Sequence, residues 1–155
     1  MTVRKAEIKD AERVEALLKT IATLHHNGRP DIYEDNAKYN LLDVEKMIED
    51  INKNIFVAVN DSDFVMGYVI CYTLEREFHN NDGKKNTLYV DDLCVDESFR
   101  HQSIGKELLN KASEYAKAQG CYNLELNVWS FNENAVKFYE SCGMKEQRRR
   151  MEIIL

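Results

Sequence analysis

Hydrophobic residues recur along this chain at two spacings, every second residue in some segments and every third or fourth residue in others. The first spacing is typical of strands and the second of amphipathic helices. Together with short hydrophobic runs, the first spacing predicts strands at 2–8, 55–59, 65–74, 88–95, 122–128 and 145–155. The second spacing predicts a helix that follows Asp10 and further helices at 43–52, 104–119 and 133–141.

The segments between these elements are polar and contain residues that interrupt regular structure. Residues 25–40 hold the only proline, Pro30, and predict a long loop or a broken helix, and residues 78–85 predict a polar loop. Gly120 and Gly143 are suited to end the last two helices. The order of the elements, with hairpins early and crossovers later, predicts one domain of the α/β (mixed α+β) class, a mixed sheet flanked by helices.

The size and composition are typical of a single globular domain. The chain has 155 residues, of which 44% are hydrophobic and 31% are charged, and this suffices for one hydrophobic core. No hydrophobic run approaches the roughly 20 residues of a membrane helix, and the charged opening is unlike a signal peptide, so we expect a cytoplasmic protein. Four cysteines lie singly in hydrophobic segments and predict reduced core thiols, with no disulfide and no metal site.

The charge pattern limits the classes of partner. A net charge of −6 at pH 7 argues against nucleic acid, because phosphate binding requires a basic face. The basic cluster Arg148-Arg149-Arg150 predicts a solvated strand face or protection of a sheet edge. The acidity favours a cationic amine as a partner, and it is also common in proteins for reasons of solubility alone.

The stretch from Arg100 to Gly105 directly follows the strand predicted at 88–95 and precedes a predicted helix. Backbone N–H groups at a helix start lack partners, and the helix dipole adds partial positive charge there. This arrangement suits a phosphate or pyrophosphate, and Arg100 supplies a fixed cation. An ordinary strand-to-helix connection with Ser103 as the N-cap explains the same residues.

Two motifs resemble those of the GNAT acetyltransferase superfamily. The stretch Arg100-His101-Gln102-Ser103-Ile104-Gly105 is similar to the family's acyl-CoA-binding motif, Arg/Gln-x-x-Gly-x-Gly/Ala, with Ser103 in place of the first glycine. The stretch from Asn127 to Met144 looks like the family's strand-loop-helix ending, in which Asn-x-x-Ala precedes Phe-Tyr-Glu and a Gly-Phe pair. Met144 replaces that phenylalanine. The resemblance covers essentially the whole chain.

This resemblance implies a GNAT fold, in which splayed strands of a largely antiparallel, twisted sheet form a cleft for acetyl-CoA, the acyl donor. The pantetheine arm is expected between the strands at 88–95 and 122–128, paired with the first like an added strand. Core packing is a second role for Leu93 and Val95, and helix capping is one for Asn134. The residues that the resemblance assigns to the cofactor are Leu93, Cys94, Val95, Arg100, His101, Gln102, Ser103, Ile104, Gly105, Lys106, Asn127 and Asn134.

The resemblance also assigns catalytic roles. Tyr139, in Phe-Tyr-Glu, is the expected general acid toward the CoA sulfur, since a phenol has an ordinary pKa of about 10 and stays protonated at neutral pH; packing on the sheet is its alternative role. Asp91 matches the position often assigned to deprotonating or orienting the amine, directly or through water, and binding a loop is its alternative role. Adjacent strand residues point to opposite faces, so Asp91 and Asp92 are expected to diverge.

The predicted loop at 25–40 occupies the position that usually lines the acceptor site in this family. Tyr33, Glu34 and Asp35 are therefore the expected substrate-binding residues. Histidine as a residue type can serve as a base near neutral pH, but His25 and His26 lack a partner at metal-ligand spacing and are expected at the surface.

Together the motifs imply an acetyl-CoA-dependent N-acetyltransferase that acts on a primary amine of a small molecule or protein by direct transfer in a ternary complex. Related proteins acylate polyamines, aminoglycosides, amino acids and protein N-termini, and a homodimer is compatible with the resemblance. The alternative is a catalytically inactive protein of the same fold that binds acyl-CoA or acts through protein association. Ser103 in place of glycine favours this alternative, whereas Arg100, Gly105, Asn134 and Tyr139 oppose it.

Overall fold

The computed structural model describes residues 1–36, 38–77 and 83–155. In these ranges the strands are β1 Thr2–Lys5, β2 Lys53–Val59, β3 Val65–Glu77, β4 Lys84–Val95 and β5 Asn123–Leu126. The α-helices are α1 Ala11–Gly28, α2 Leu41–Glu49, α3 Ile104–Ala118 and α4 Glu133–Ser141, and short 3-10 turns lie at Ile8–Asp10 and Glu97–Phe99.

The strands lie side by side in the order β1-β2-β3-β4-β5. Neighbours from β1 to β4 are antiparallel, and β5 pairs parallel to β4 after the crossover through α3. A parallel neighbour requires such a crossover because a tight hairpin can join only antiparallel strands. The predicted mixed, largely antiparallel sheet flanked by helices is confirmed.

Each face of the sheet carries its own hydrophobic cluster. Helices α1 and α2 cover one face, the α1/α2 face, where Tyr68 and Ile70 of β3 are fully buried. Helix α3 covers the other, the α3 face, where Val69 of β3 and Leu88 of β4 are fully buried. Because neighbouring residues of a strand alternate between faces, β3 and β4 contribute to both clusters. The two clusters fix the position of β4, along which the candidate site lies.

Local sequence determines where the first two helices begin and end. Asp10 precedes α1 as predicted, although its carboxylate binds Arg4, at 2.7 Å, instead of capping the helix. Helix α1 continues to Gly28, so residues 25–28 of the predicted loop are helical, and Pro30 follows its end. Helix α2 begins with a reciprocal cap between Asn40 and Asp43, which places its start before the predicted one. Residue 37 of the predicted loop lies outside the described residues.

The last predicted strand is wrong, and the predicted loop at 78–85 is mostly outside the described residues. Residues 145–155 form no strand, and their side chains are exposed. A strand requires a partner edge, and no residue of this segment pairs with a described strand. Residues 78–82 are outside the described ranges, and residues 84 and 85 belong to β4.

Two further observations concern the expectations about membrane helices and cysteines. No helix among the described residues is both long and apolar enough to cross a membrane. The four cysteines are free, and Cys71 and Cys94 are buried. Burial raises the pKa of each of these two thiols to about 12. At neutral pH both are therefore protonated and poor nucleophiles.

Candidate active site

The pairing of β4 with β5 ends at Val90 and Leu126, although β4 continues to Val95. From Asp92 to Val95, β4 pairs with β3 alone among the described residues. Beyond β5 the chain bends into a turn closed by a hydrogen bond from the Asn132 N–H to the Trp129 carbonyl, 2.9 Å. The two strands therefore diverge, as the splayed-strand expectation requires, and one backbone edge of β4 faces the gap.

A run of backbone donors without acceptors precedes and opens α3. The first bond of the helix joins the Glu107 N–H to the Ser103 carbonyl at 3.0 Å. Within the part of the chain that the structure describes, the N–H groups of residues 101–106 donate no hydrogen bond. His101 and Ser103 adopt left-handed backbones, with φ of 63° and 62°. Such a conformation turns successive N–H groups toward one point, and the resulting concavity suits an anion such as pyrophosphate.

The side chains of this turn are arranged around its backbone. Ile104 is buried on the α3 face, which anchors the helix start, whereas His101, Gln102 and Lys106 are exposed. The Arg100 side chain is also exposed and lies 3.1 Å from the Glu97 carboxylate. Exposed pairs of this kind contribute little to stability, so a phosphate can displace Glu97 from the guanidinium. Arg100, His101, Gln102 and Lys106, which are predicted to contact the cofactor at this turn, are therefore accessible, whereas Ile104 is not.

Ser103 keeps the backbone conformation that favours glycine. It occupies the N-cap position of α3, but its hydroxyl caps no helical N–H, so the N-cap alternative holds for the backbone only. For a residue with a Cβ, a left-handed φ is unfavourable by roughly 1–2 kcal/mol, and glycine avoids this strain. The serine therefore strains the turn without abolishing its shape.

Helix α4 lies against the start of α3. A Cβ on Gly105 would come 3.1 Å from the Phe138 ring and 3.6 Å from Val95 Cγ2. Glycine at this position thus allows α3, α4 and the end of β4 to converge. None of the nine residues of α4 is fully buried, so its apolar side is only partly covered.

The predicted cofactor residues on β4 divide between the two faces. Leu93 and Val95 pack against the cluster of the α3 face, as their alternative core role requires. Cys94 is buried in the cluster of the α1/α2 face. Their side chains are thus occupied in the core, and only their backbone groups are available for pairing along the gap.

The two predicted asparagines differ in their surroundings. The Asn127 amide donates to the Tyr89 hydroxyl at 3.0 Å, on the β4 side of the gap. Asn134 is exposed, and its side chain makes no hydrogen bond among the described residues. The cap of α4 is Asn132, whose side chain accepts from the Ala135 N–H, so the capping alternative for Asn134 is wrong.

A β-bulge in β4 redirects the two adjacent aspartates. Ile70 of β3 faces Asp92, whereas the next residue, Cys71, faces Val90, so Asp91 is an extra residue without a counterpart. Asp92 shares the α1/α2 face with its partner Ile70, and Asp91 contacts a loop tyrosine that packs against the same cluster. The expected divergence of the two side chains is wrong, because the bulge shifts the alternation by one residue.

Asp91 is held by the loop that precedes α2. Its carboxylate accepts from Lys38 Nζ at 2.8 and 3.0 Å and from the Tyr39 hydroxyl at 2.8 Å. Only 8% of its side chain is exposed. Its predicted alternative role, binding a loop, therefore matches these contacts.

Asp92 has a different environment beside its neighbour. Burial, reinforced by the Asp91 charge, raises the pKa of Asp92 to about 7. The nearby Tyr68 hydroxyl is buried and has no hydrogen-bond partner among the described residues, and burial raises its pKa. Burial and then the Asp92 charge raise the pKa of Tyr139, so this phenol stays protonated at neutral pH. A carboxyl that titrates near neutrality thus lies within electrostatic reach of the predicted acid.

The predicted acceptor loop packs against the turn that follows β5. The Tyr33 hydroxyl accepts from Trp129 Nε1 at 2.9 Å, and the two rings meet edge to face. The His26 ring nitrogen lies 2.7 Å from the Tyr33 carbonyl oxygen, and the His25 ring lies 5.1 Å from the Tyr33 ring, so both histidines bind the loop. Asp35 accepts from a threonine of α1, and Glu34 is exposed. Tyr33 thus joins the predicted acceptor loop to the turn that follows β5.

Charges around the bulge are mixed. Lys38 neutralises Asp91, and Lys53 Nζ lies over the Tyr39 and Tyr72 rings at 5.4 and 5.9 Å. The net charge of the chain predicts an attraction for a polycation, and the two lysines near the carboxylates reduce that attraction.

The sequence did not single out four residues of this site: Lys38, Tyr39, Tyr68 and Asp92. Asp92 carried a signal, since it is the second member of the acidic pair. A bulge has no reliable sequence signature, so the placement of the two aspartates could not be predicted. The other three residues reach the site through contacts between distant segments.

Solved structures of this fold match the chain along its whole length. A crystal structure of a tetramutant of the BH1408 protein from Bacillus halodurans gives a TM-score of 0.92 at 29% identity, with all of both chains covered. An aminoglycoside N-acetyltransferase in complex with CoA gives a TM-score of 0.73, covering 99% of this chain and 98% of that chain. At 17% identity, the second likeness shows the fold alone.

Sequence relatives carry acetyltransferase names. An uncharacterized N-acetyltransferase of Lactobacillus delbrueckii subsp. lactis is 30% identical, with 76% of this chain and 69% of that protein covered. Thialysine N-epsilon-acetyltransferase of Bos taurus is 30% identical over 53% of this chain, and glucosamine 6-phosphate N-acetyltransferase of Arabidopsis thaliana 35% identical over 50%. The chain spans about half the length of these last two, 45% and 49%.

A family model agrees with the motifs and the fold. The model described as the acetyltransferase (GNAT) family matches residues 18–144, a range that includes the turn before α3, the bulge of β4 and all of α4. The protein belongs to the GNAT acetyltransferase family.

Proposed function

We propose that this protein is an acetyl-CoA-dependent N-acetyltransferase that acetylates a primary amine by direct transfer in a ternary complex. The observation that carries the proposal is the run of unpartnered N–H groups at residues 101–106, beside an unpaired edge of β4. A carboxyl with a pKa near 7 and a protonated phenol flank the same edge. Donor binding and proton transfer are therefore supported at one place.

The donor would bind along β4 and the turn before α3. The pyrophosphate accepts hydrogen bonds from the N–H groups of residues 101–106, and Arg100 exchanges Glu97 for a phosphate oxygen. The pantetheine amides pair with the free edge of β4 between Asp91 and Val95. Asn134, exposed at the start of α4, is available to contact the same arm. This placement directs the thioester toward the bulge.

The proton transfers follow from the two titrating groups. The ionised Asp92 carboxylate takes a proton from the ammonium group, directly or through one water molecule. The neutral amine nitrogen attacks the thioester carbonyl carbon, and a tetrahedral intermediate forms. The C–S bond then breaks and Tyr139 donates its proton to the departing thiolate. The attacking nitrogen loses its extra proton, through solvent, to the phenolate as the amide forms, and Asp92 releases to solvent the proton that it took from the ammonium group. The products are the amide and CoA.

Asp91 keeps its predicted place in the site, with a role in positioning. Its hydrogen bonds to Lys38 and Tyr39 fix the loop that borders the acceptor side, and its charge helps to raise the pKa of Asp92. The Asp91 carboxylate is already bound to a lysine and a phenol, whereas burial raises the pKa of Asp92 to about 7 and so favours its taking a proton. We therefore assign the base to Asp92 and the orientation of the site to Asp91.

The acceptor is a small primary amine or an exposed protein amine. Tyr33, Glu34 and Asp35 border its entrance, with Trp129 behind Tyr33. Relatives are named for thialysine and glucosamine 6-phosphate, both of which are small amines. The mixed charges of Asp91, Lys38 and Lys53 support an acceptor of low net charge over a polyamine.

The proposal is tested by the release of free CoA from acetyl-CoA in the presence of an amine panel that includes spermidine, an aminoglycoside, an amino acid, an amino sugar phosphate and an N-terminal peptide. We expect amine-dependent release with at least one acceptor, and release slowed about 10²- to 10⁴-fold in the Asp92→Asn variant, which serves as the control. Binding of CoA without release for any amine would contradict the catalytic proposal and favour the inactive acyl-CoA-binding alternative. Ser103 gives that alternative little support, because the turn keeps its left-handed shape.

A further inference from the structure

One row of side chains crosses three strands of the sheet near the bulge of β4. Lys53 of β2 is directly opposite Tyr72 of β3, and Tyr72 is directly opposite Tyr89 of β4. Residues directly opposite each other on neighbouring strands share a face, so the three side chains stand side by side. The centroids of the Tyr72 and Tyr89 rings are 5.4 Å apart. The row is therefore a short aromatic platform with a cation at one end.

Helices α1 and α2 leave this row open. Tyr68, Ile70 and Tyr72 alternate along β3, so all three belong to the α1/α2 face. Tyr68 and Ile70 are fully buried in the cluster of that face. Tyr72 is partly exposed, as are Lys53 and Tyr89. The helical cover thus ends at the row, and a small molecule can reach it.

Two hydrogen-bond donors of the row have no acceptor in the part of the chain that the structure describes. The Lys53 ammonium lies over the Tyr39 and Tyr72 rings but forms no ion pair, whereas Lys38 is paired with Asp91. The Tyr72 hydroxyl forms no hydrogen bond either. Burial raises the pKa of Tyr72, so this phenol remains a donor at neutral pH. An ammonium group beside a free phenol O–H suits an anion.

Tyr39 connects this end of the row to the acidic pair. Its hydroxyl donates to Asp91 at 2.8 Å, and its ring lies 5.4 Å from Lys53 Nζ. One tyrosine side chain thus spans the distance from the carboxylates to the unpaired cation. A small molecule with its amine at Asp92 can therefore place a second group, several bonds away, on Lys53 and Tyr72.

Charge decides which second group suits this position. Lys53 repels the second ammonium group of a polyamine and attracts a carboxylate or a phosphate. The rings of Tyr72 and Tyr89 offer apolar surface to the carbon chain or sugar ring between the two groups of the acceptor. Cation, donor and rings together match a small molecule with an amine at one end and an anion at the other.

We propose that the row of Lys53, Tyr72 and Tyr89 is an anion subsite, and that the acceptor is a small primary amine that carries a carboxylate or a phosphate. The anion accepts hydrogen bonds from Lys53 Nζ and the Tyr72 hydroxyl, and the rest of the acceptor lies along the tyrosine rings toward Asp92. This subsite rests on the acetyltransferase function proposed above and names the class of its acceptor.

Two matched pairs of amines test the subsite: Nα-acetyl-lysine against its carboxamide, and glucosamine 6-phosphate against glucosamine. The members of a pair present the same amine and differ in the anionic group, and the two pairs separate a carboxylate from a phosphate. We expect the wild type to prefer the anionic member of at least one pair by about 10- to 100-fold in kcat/KM, the size expected for a hydrogen bond to a charged group.

Variants of the row locate the origin of that preference. Lys53→Met removes the charge and keeps most of the side chain, so it should abolish the preference, chiefly by raising KM for the anionic member. Lys53→Arg should restore it, and Tyr72→Phe should reduce it a few-fold. The matched control is Lys117→Met, which removes an equal charge from an exposed lysine at the end of α3 and should keep the preference.

Calorimetry on the CoA-bound protein separates the subsite from catalysis. Tighter binding of the anionic member, lost in Lys53→Met, would support the subsite even without acetylation of any amine, and would then count against the catalytic proposal alone. Equal binding and equal turnover of both members would overturn the subsite while leaving the transferase activity standing. A preference that survives Lys53→Met, or that disappears equally in Lys117→Met, would overturn it as well.

Discussion

The two sides of the proposed cleft, the donor side and the acceptor side, are built in different ways. On the donor side, the end of β4, the turn at residues 100–106 and α3 follow one another directly in the sequence. On the acceptor side, the contacts join distant segments: Lys38 to Asp91, and Tyr33 to Trp129. Both sides meet at the bulge of β4, where Asp91 and Asp92 share one face.

The difference shows which features one sequence motif can specify. A strand, a turn and a helix start create a row of N–H groups with no help from elsewhere, so the donor side depends on backbone shape. The acceptor side depends on which side chains the loop brings to the sheet. Donor binding should therefore tolerate substitutions across the site, whereas turnover and acceptor recognition should be sensitive to single residues.

The largest effect is expected for Asp92→Asn. Loss of the general base should lower kcat about 10²- to 10⁴-fold while the affinity for CoA changes little. In the wild type, activity should rise with pH through about 7 as Asp92 loses its proton. Steady-state kinetics between pH 5.5 and 9 measure both effects. Asp91→Asn is the matched control, and an equal loss of kcat in both variants would remove the distinction between the two aspartates.

Thermal stability gives an independent check of the same residue. Asp92→Asn should lower activity, but it should raise the melting temperature at high pH. The folded state raises the pKa of Asp92, so the stability linked to its protonated form is present at low pH and is lost as pH rises through about 7. An asparagine cannot ionise and avoids that loss. Asp92→Asn should therefore melt at a higher temperature than the wild type at pH 8 and at a similar temperature near pH 4.

The second effect in size is expected for Tyr139→Phe. Removal of the proton donor to the thiolate should lower kcat by about 10²-fold, with CoA affinity nearly unchanged. Because the pKa of Tyr139 is raised, the wild-type profile should show no loss of activity from its ionisation up to pH 9. Rapid-quench kinetics and calorimetry measure the two parameters. Unchanged turnover would leave Tyr139 with a packing role only.

A third prediction tests the contact between Gly28, at the end of α1, and Phe131, in the turn that follows β5. A Cβ on Gly28 would lie 2.2 Å from the Phe131 ring, which stacks on Trp129. Gly28→Ala should therefore destabilise the protein by about 1–3 kcal/mol and raise KM for the amine more than KM for acetyl-CoA. In a Phe131→Ala background the same change should cost much less. Urea unfolding of the wild type, the two single variants and the double variant completes a double-mutant cycle. Full additivity of the two changes in the free energy of unfolding would contradict the contact between Gly28 and Phe131.

The smallest effect is expected at the turn on the donor side. Ser103→Gly should relieve left-handed strain, stabilise the protein by about 1 kcal/mol and leave CoA affinity equal or a few-fold tighter. Ser103→Ala removes the hydroxyl but keeps the Cβ, so it should bring no gain in stability. A large loss of CoA affinity in both variants would show that the hydroxyl is a required contact, and would weaken the view that backbone shape suffices.

Much of the fold followed from residue spacing, because strands and helices with one buried face carry their period in the sequence. The turn at Arg100–Gly105 was also predictable, since it is local. The bulge at Asp91 was not, because an extra residue alters no composition or period. The strand expected at 145–155 has the right pattern, yet pattern alone cannot supply the partner edge that a strand requires. The contacts of Lys38 and Tyr39 depend on how the loop before α2 folds back on β4.

The unpartnered N–H groups of residues 101–106 also have a consequence for the lifetime of the protein. A cosubstrate that fills them binds the native state and not the unfolded chain, and at about 100 times its Kd it adds roughly 2.7 kcal/mol to the free energy of unfolding. Proteolytic turnover that proceeds through unfolding would slow by the corresponding factor. The abundance of this protein would then rise with the supply of that cosubstrate.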